Sequence, residues 1–173
     1  MNLKESIRVI PDFPKPGIQF IDITTMLKDG KAMTYAFDKL AEMVKDLEID
    51  LLVGPEARGF LVGAPLAYKL GAGFVPVRKS GKLPGEVIEA SYQLEYGQDT
   101  LEIHKDAITP GTKVLVVDDL LATGGTVWST ADLVRSLGGE IVGFAFLVEL
   151  TFLKGRDKLG NYPVYSLLEY DSE

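Results

Sequence analysis

The sequence predicts an α/β fold, a mostly parallel twisted sheet with helices on both of its faces. Apolar segments typical of strands alternate along the chain with segments of helical periodicity, an order that builds β-α-β units. Residues 114–117 are all aliphatic, which indicates a strand buried on both faces. At 173 residues the chain is long enough to bury one substantial core, so we expect residues 1–173 to form a single domain.

The N-terminal half follows this order. Residues 3–10 predict a short amphipathic helix, and the prolines of residues 11–17 fix an extended or turning path after it. Apolar residues at helical spacing predict the next long helix. The elements expected here are a strand at 18–23, a helix at 31–47, a strand at 49–53, a second helix ending near Leu70 and a strand at 73–79.

The C-terminal half begins with an antiparallel hairpin. Residues 91–96 and 100–105 alternate with period two around a turn at 97–99, which is typical of paired strands. Two glycines at 138–139 are expected to end the helix that carries Val127, Ala131 and Val134. The remaining elements are a strand at 113–118, that helix, a strand at 141–150, a short helix near 153–160 and a strand at 164–168.

An acidic pair and a glycine-threonine loop follow the most apolar strand. In parallel sheets ligands bind beyond the carboxyl ends of strands, and the start of the next helix favours an anion. The loop can therefore wrap backbone amides and hydroxyls around a phosphate, since its glycines leave room for close approach. The residues expected to do so are Ala122, Thr123, Gly124, Gly125 and Thr126.

The acids before this loop need a different partner, because carboxylates repel a phosphate. Asp118 and Asp119 are expected either to accept hydrogen bonds from sugar hydroxyls or to lie near a divalent metal. Three loops leave carboxyl ends of predicted strands, so we expect a common rim for Arg58, Gly59 and the cluster of Arg78, Lys79 and Lys82. A basic rim beside a phosphate loop predicts a ligand with more than one phosphate group.

Composition excludes several other functions. A net charge of −7 argues against general nucleic-acid binding. No apolar run reaches membrane-spanning length and the N-terminus lacks the apolar region of a signal peptide, so we expect a cytoplasmic protein. The absence of cysteine excludes disulfides and thiolate chemistry. A single histidine, His104, excludes a multi-histidine metal cage, and there is no P-loop motif.

The apolar strand, acidic pair and threonine-glycine loop over residues 114–126 resemble the signature of the type I phosphoribosyltransferases. Segments 13–17, 78–85, 94–97 and 147–150 resemble the members of that family that act on adenine, and the resemblance covers about residues 7–170. It implies the family's fold, with an added hood segment and a hairpin that forms a flexible loop. Where such enzymes often carry arginine and serine, this chain has Ile21 and Ala57, so side-chain contacts from those positions are lost.

The resemblance implies transfer of the phosphoribosyl group of 5-phosphoribosyl 1-pyrophosphate to N9 of adenine, which gives AMP and pyrophosphate. It also implies Mg²⁺, which we expect to arrive with the substrate, and a homodimer in which Arg78 reaches the neighbouring subunit's site. Breaking the bond from C1 to pyrophosphate leaves negative charge on the leaving group, which the basic rim would neutralise. Asp118 and Asp119 would hold the ribose hydroxyls and stabilise the cationic sugar.

The purine needs its own contacts and a proton acceptor or donor. Glu95, on the predicted hairpin, is the candidate for exchanging a proton with the purine ring. Phe20, Ile21 and Leu120 are the candidates for binding the base. Two alternatives remain open from the sequence. One is a phosphoribosyltransferase for hypoxanthine, guanine or xanthine, and the other is a non-catalytic regulator of the same fold that senses nucleotides.

Overall fold

A seven-stranded sheet forms the centre of the protein. The computed structural model describes residues 1–93 and 97–172. The strand order is β5-β6-β4-β3-β7-β8-β9, in which the five strands from β4 to β9 run parallel and the β5-β6 hairpin pairs antiparallel to β4. These strands are β3 (Leu51–Pro55), β4 (Gly73–Lys79), β5 (Val87–Gln93), β6 (Gln98–His104), β7 (Lys113–Leu121), β8 (Glu140–Leu150) and β9 (Val164–Tyr170).

Helices cover both faces of this sheet, which confirms the predicted fold class. The helices are α1 (Thr24–Lys28), α2 (Gly30–Val44), α3 (Arg58–Leu70), α4 (Gly125–Ser136) and α5 (Gly155–Lys158). Alternate residues of β7 point to opposite faces: Leu115 and Val117 pack with α2 and α3, whereas Val114 and Val116 pack with α4. All four are fully buried, as the unbroken aliphatic run predicted.

The N-terminus differs from its prediction. A 3-10 helix spans Leu3–Ser6, but Arg8–Ile10 is a strand, β1, which pairs antiparallel with Phe20–Asp22, β2. The Arg8 guanidinium bonds the Asp22 carboxylate across this pair. The prediction of one helix over residues 3–10 is therefore wrong, because pairing with a strand twelve residues away decides the conformation of the second half. This two-stranded unit is called the hood below.

Two further differences are an additional helix and a longer strand. The helix α1 was not predicted, and β7 continues through the acidic pair to Leu121 because β8 pairs with it along that length, as in Leu120↔Val148. The hairpin prediction is confirmed with earlier bounds, since β5 starts at Val87 and Gln93 pairs with Gln98. Within the described residues, no helix has both the length and the apolar character needed to cross a membrane.

Candidate active site at the carboxyl edge of the sheet

The carboxyl end of β7 and the start of α4 enclose a cavity of about 180 Å³. Its wall contains the whole predicted phosphate loop, both predicted ribose-binding acids, Arg58 and Leu120. In full, the lining residues are Arg58, Asp118, Asp119, Leu120, Leu121, Ala122, Thr123, Gly124, Gly125, Thr126 and Val127. The structure thus brings together residues that the sequence analysis assigned to phosphate, ribose and pyrophosphate, although their roles stay predictions.

The loop reaches the helix through a glycine in the left-handed region. Gly124 has φ +87°, and a Cβ added to it would lie 3.0 Å from the carbonyl oxygen of Gly155. Gly125 then begins α4, whose first turn leaves backbone N–H groups without partners inside the helix. Those N–H groups and the positive end of the helix dipole suit an anion at this point.

The short helix α5 supports this loop from behind. A Cβ added to Gly155 would lie 2.4 Å from the carbonyl oxygen of Ala122, so the two segments are in direct contact. An ionic cluster around the buried carboxylate of Glu149 holds α5: the partly exposed Arg156 donates to both oxygens of Glu149 at 2.8 to 3.0 Å, and the Ser166 hydroxyl donates to the same carboxylate at 2.6 Å. Although burial opposes it, the Arg156 hydrogen bonds keep the pKa of Glu149 below its ordinary value.

The two acids at the end of β7 have different surroundings. Asp119 is 5% exposed and its Oδ2 lies 2.8 Å from Nε of Arg58. Asp118 is half-buried and accepts the backbone N–H of Asp119 at 2.8 Å. Burial, followed by repulsion from Asp119, raises the pKa of Asp118 well above its ordinary value. A cation or a set of hydroxyl donors would relieve that repulsion.

A second cavity, of about 400 Å³, adjoins the first and shares Arg58, Asp118, Asp119 and Thr126 with it. Its other walls are Glu56, Ala57 and Tyr92. Gly59, at the start of α3, lies close to Asp118, since a Cβ added to Gly59 would lie 3.3 Å from Oδ1 of Asp118. The predicted pyrophosphate residues Arg58 and Gly59 therefore adjoin the acidic pair.

The predicted basic cluster is held by carboxylates that the sequence analysis did not identify. Glu56, whose side chain is 9% exposed, accepts hydrogen bonds from Arg78 Nε at 3.3 Å and Lys82 Nζ at 2.6 Å. It also accepts the backbone N–H of Lys79 at 2.7 Å, while Lys79 Nζ lies 3.6 Å from Oδ2 of Asp99. Although burial opposes it, the bonds from Lys82 and the Lys79 backbone hold the pKa of Glu56 below its ordinary value.

Glu56 was missed for a physical reason. A carboxylate is not expected beside a site for anions, so the residue type of Glu56, two residues before Arg58, does not point to a role there. That spacing was nevertheless an available signal, since both residues leave the carboxyl end of β3. The partners Arg78 and Lys82 are 22 and 26 residues further along the chain, and the sequence alone does not reveal such pairings.

The three predicted base-binding residues lie in different surroundings. The Phe20 ring centroid is 5.4 Å from Cζ of Arg58, so the hood contacts the predicted basic rim directly. Leu120 lines the phosphate-loop cavity. Ile21 is buried and lines a separate apolar cavity of about 470 Å³ together with Val9 and Leu150. Glu95, the predicted acid-base residue, lies outside the described residues.

Comparison with known proteins gives consistent results. The family model described as "Phosphoribosyl transferase domain" matches residues 24–168. An adenine phosphoribosyltransferase of Clostridium botulinum strain Hall is 64% identical over 171 residues, which cover 99% of each chain.

Solved structures agree with the sequence relatives. The adenine phosphoribosyltransferase of Thermoanaerobacter pseudethanolicus superposes with a TM-score of 0.95 at 58% identity and covers 97% of this chain and 98% of its own. That of Trypanosoma brucei, solved with AMP, pyrophosphate and ribose-5-phosphate, has a TM-score of 0.88 at 26% identity and covers 96% of this chain and 77% of its own.

Proposed function

Because the chain belongs to the phosphoribosyltransferase family, we infer that it transfers the 5-phosphoribosyl group of 5-phosphoribosyl 1-pyrophosphate to adenine. The products are AMP and pyrophosphate. The C1–O bond to pyrophosphate breaks, the C1–N9 bond to adenine forms and the N9 proton leaves the ring. The observation that carries this function is one cavity with a helix start, two carboxylates and Arg58, in a chain 64% identical to an adenine phosphoribosyltransferase.

The proposed substrate orientation spans the two adjoining cavities. The 5′-phosphate would bind the N–H groups at the start of α4, and the ribose hydroxyls would donate to Asp118 and Asp119. The pyrophosphate would then extend toward Arg58 and Gly59, in the cavity that Glu56 also lines. This orientation uses every residue of the loop from Ala122 to Thr126 as a phosphate contact.

The main task of the protein in this reaction is to neutralise the negative charge that develops on the leaving pyrophosphate. Arg58, Arg78, Lys79 and Lys82 are the cations we assign to pyrophosphate, and each already has a fixed carboxylate partner in the structure. Preorganised cations lower the barrier because they do not have to be gathered during the reaction. Ionised Asp118 and Asp119 would favour the positive charge that develops at C1.

The donor set at this edge also fits Mg²⁺. Within the part of the chain that the structure describes, no group of three or more acidic, histidine or cysteine side chains is arranged to hold a metal. The two carboxylates of Asp118 and Asp119 would therefore supply a minority of the ligands, and oxygens of the substrate and water the rest. When bound, Mg²⁺ would neutralise charge on the pyrophosphate oxygens.

The base would be held near the hood. Phe20 offers an aromatic face beside Arg58, and Leu120 offers an apolar side chain on the side of the phosphate loop. Ile21 would contribute through its backbone, because its side chain is buried in the core. Glu95 is proposed as the group that exchanges a proton with the purine ring.

A homodimer is the proposed assembly, with Arg78 reaching the partner's site. Leu61 and Tyr68 lie seven residues apart on one side of α3, and they are 46% and 91% exposed. Such an apolar face suits a second copy of the same chain. A Tyr68→Glu variant should shift the species measured by light scattering from dimer to monomer and lower the specific activity.

The activity is tested by incubating the protein with 5-phosphoribosyl 1-pyrophosphate, Mg²⁺ and one purine at a time. We expect AMP from adenine, and much slower nucleotide formation from hypoxanthine, guanine and xanthine. The double variant Asp118→Asn/Asp119→Asn, with its fold checked by circular dichroism, is the inactive control. Absence of AMP with the wild-type protein would refute the function. Because 5-phosphoribosyl 1-pyrophosphate and AMP are highly charged and do not cross membranes unaided, we also propose that the enzyme works in the cytoplasm.

A further inference from the structure

The short helix α5 lies behind the phosphate loop, and no role in the reaction has been assigned to it above. Its four residues are too few to hold a helical conformation by themselves, so contacts with the rest of the fold must fix them. One such contact is made by Leu159, directly after the helix, which is fully buried in the core that also contains Val127 of α4. The other is made by Arg156, whose side chain reaches β8 and β9.

The guanidinium of Arg156 ties α5 to the sheet at two places. Its Nε and Nη2 each donate to a different oxygen of Glu149 at 2.8 Å, and its Nη1 donates to the carbonyl of Val164 on β9 at 3.1 Å. A guanidinium that meets a carboxylate at two points fixes orientation as well as distance. Glu149 is 2% exposed and is paired in register with Leu121, the last residue of β7. The ion pair therefore anchors α5 beside the point at which the phosphate loop begins.

The contact between α5 and the phosphate loop is made by backbone atoms. A Cβ added to Gly155 would lie 2.4 Å from the carbonyl oxygen of Ala122 and 2.8 Å from Cδ1 of Leu121. Gly155 does not have a positive φ, so the close approach of the loop requires a glycine here and the backbone conformation does not. From the other side, a Cβ added to Gly124 would lie 3.0 Å from the carbonyl oxygen of Gly155. The helix α5 thus packs against the loop at both Ala122 and Gly124.

The contact with Ala122 determines the direction of one loop N–H group. The peptide bond between Ala122 and Thr123 is trans, so the Ala122 carbonyl and the Thr123 N–H point in opposite directions. Because the Ala122 oxygen is the loop atom nearest to the added Cβ of Gly155, the Thr123 N–H points away from α5. Ala122 and Thr123 line the cavity of about 180 Å³, and its lining contains no residue of α5. The Thr123 N–H is therefore directed to the cavity side of the loop.

We propose that Arg156 is a positioning residue for the phosphate loop: through its ion pair with Glu149 it holds Gly155 against the Ala122 carbonyl and thereby keeps the Thr123 N–H directed at the bound phosphate. This inference rests on the proposed function for the identity of the ligand. A donor that is already aimed at its acceptor does not have to be ordered when the ligand binds, so the full hydrogen bond contributes to affinity. The residue acts on phosphate binding although its own side chain faces the opposite side of the loop.

The test uses two full-length variants that disturb this support in different ways. Arg156→Lys keeps the charge but cannot make the two-point contact with Glu149. Gly155→Ala keeps the ion pair and places a methyl group against the Ala122 carbonyl. Ser166→Ala is the matched control, because it removes a 2.6 Å hydrogen bond to the same carboxylate from β9 and leaves α5 untouched. AMP affinity is measured by calorimetric titration, together with Tm, kcat and the KM values for AMP and pyrophosphate in the reverse reaction.

In Arg156→Lys and Gly155→Ala, we expect AMP affinity to fall about tenfold and the KM for AMP to rise by a similar factor, because a phosphate donor is misdirected. The KM for pyrophosphate should change less than about twofold, since the basic rim that we assign to it does not touch α5. Ser166→Ala should lower Tm and leave AMP affinity within about twofold of the wild-type value, because the orientation of α5 is kept. Should Arg156→Lys not fold, Glu149→Gln, which weakens the same pair from its other side, takes its place.

Two results would overturn the proposal. One is an AMP affinity in the variant of the ion pair that matches that of the wild-type protein. The other is a loss of AMP affinity in Ser166→Ala as large as in Arg156→Lys, or an equal rise of the KM values for AMP and pyrophosphate, which would show that the cluster serves only general stability. A wild-type protein that binds AMP but does not convert adenine would refute the proposed function instead, and the AMP affinities of the variants would still decide the role of Arg156. Absence of AMP binding by the wild-type protein would overturn both.

Discussion

Arg58 and Asp119 form an ion pair with 2.8 Å between Nε and Oδ2, which joins the start of α3 to the end of β7. Asp119 is buried, whereas the Arg58 side chain is 45% exposed. The pair holds the residue proposed to bind pyrophosphate in contact with a residue proposed to bind ribose before the substrate is present. Incoming pyrophosphate must therefore share the Arg58 guanidinium with a carboxylate that is already in place.

Asp119→Asn should weaken both stability and activity. Since half of the Arg58 side chain can be hydrated once it is released, the free energy of unfolding should fall by only about 1 kcal/mol. The kcat/KM for the phosphoribosyl donor should fall at least about 100-fold, because the ribose hydroxyls lose a charged acceptor. Urea unfolding and steady-state kinetics measure the two effects. The control is Asp38→Asn, which breaks the exposed pair with Lys69 and should change neither quantity appreciably.

Asp118→Asn should stabilise the free protein while it removes activity. Burial and the Asp119 charge raise the pKa of Asp118, so ionised Asp118 costs stability, and that cost builds up as the pH rises from the ordinary pKa of the carboxyl to the raised one. At pH 8 the variant should melt a few degrees above the wild type, and the difference should shrink in acid. Scanning calorimetry over a pH series measures it. Asp106→Asn, at an exposed site, should show no such difference, and a lower Tm for Asp118→Asn at pH 8 would contradict the explanation.

Neighbouring glycines of the phosphate loop should respond differently to alanine. A Cβ on Gly125 has no heavy atom within 4 Å, so Gly125→Ala should keep Tm and weaken AMP binding by roughly tenfold, because the methyl group obstructs a phosphate. Gly124→Ala should cost about 1–2 kcal/mol, since its φ of +87° is strained for alanine and Gly155 is too close. Calorimetric titration with AMP and thermal melting distinguish them. Unchanged AMP affinity in Gly125→Ala would contradict phosphate binding at this helix start.

The hood should lose stability in acid through Asp22. Hydrogen bonds from Thr24 and Arg8 lower the pKa of Asp22 from 3.8 to about 2. A lowered folded-state pKa means that the carboxylate stabilises the fold above about pH 4 and stops doing so as the pH falls through 2. The Tm difference between wild type and Asp22→Asn should thus be largest above pH 4 and shrink toward pH 2. Asp46→Asn, on the surface, provides the control, and a pH-independent difference would count against this account.

Glu95→Gln should separate chemistry from binding. The amide cannot exchange a proton with the purine, so kcat should fall by roughly 100-fold, whereas the affinity for the phosphoribosyl donor should stay within about twofold. Single-turnover kinetics and donor titration measure the two quantities. Glu86→Gln, at an exposed position before β5, is the matched control. An equally active Glu95→Gln protein would remove this residue from the mechanism.

The sequence predicts the sheet better than it predicts the contacts at its edge. The alternation of Val114 and Leu115 between two cores follows from the aliphatic run alone, because a strand has only two faces. The extension of β7 beyond Asp118 depends on its pairing with β8, which a single segment does not encode. The hydrogen bond from Lys82 to Glu56 likewise joins residues that are far apart in the sequence.

On the proposed assignment of the basic cluster to pyrophosphate, the carboxylate of Glu56 gives the resting enzyme a means of selecting ligands by their charge. Arg78 and Lys82 already share one negative charge, so a competing anion must offer enough charge and enough oxygen atoms to draw them away. Chloride or a lone phosphate offers less of both than a diphosphate. The basic rim of this acidic protein can therefore remain largely unoccupied in a salt-rich solution and still accept its multiply charged substrate.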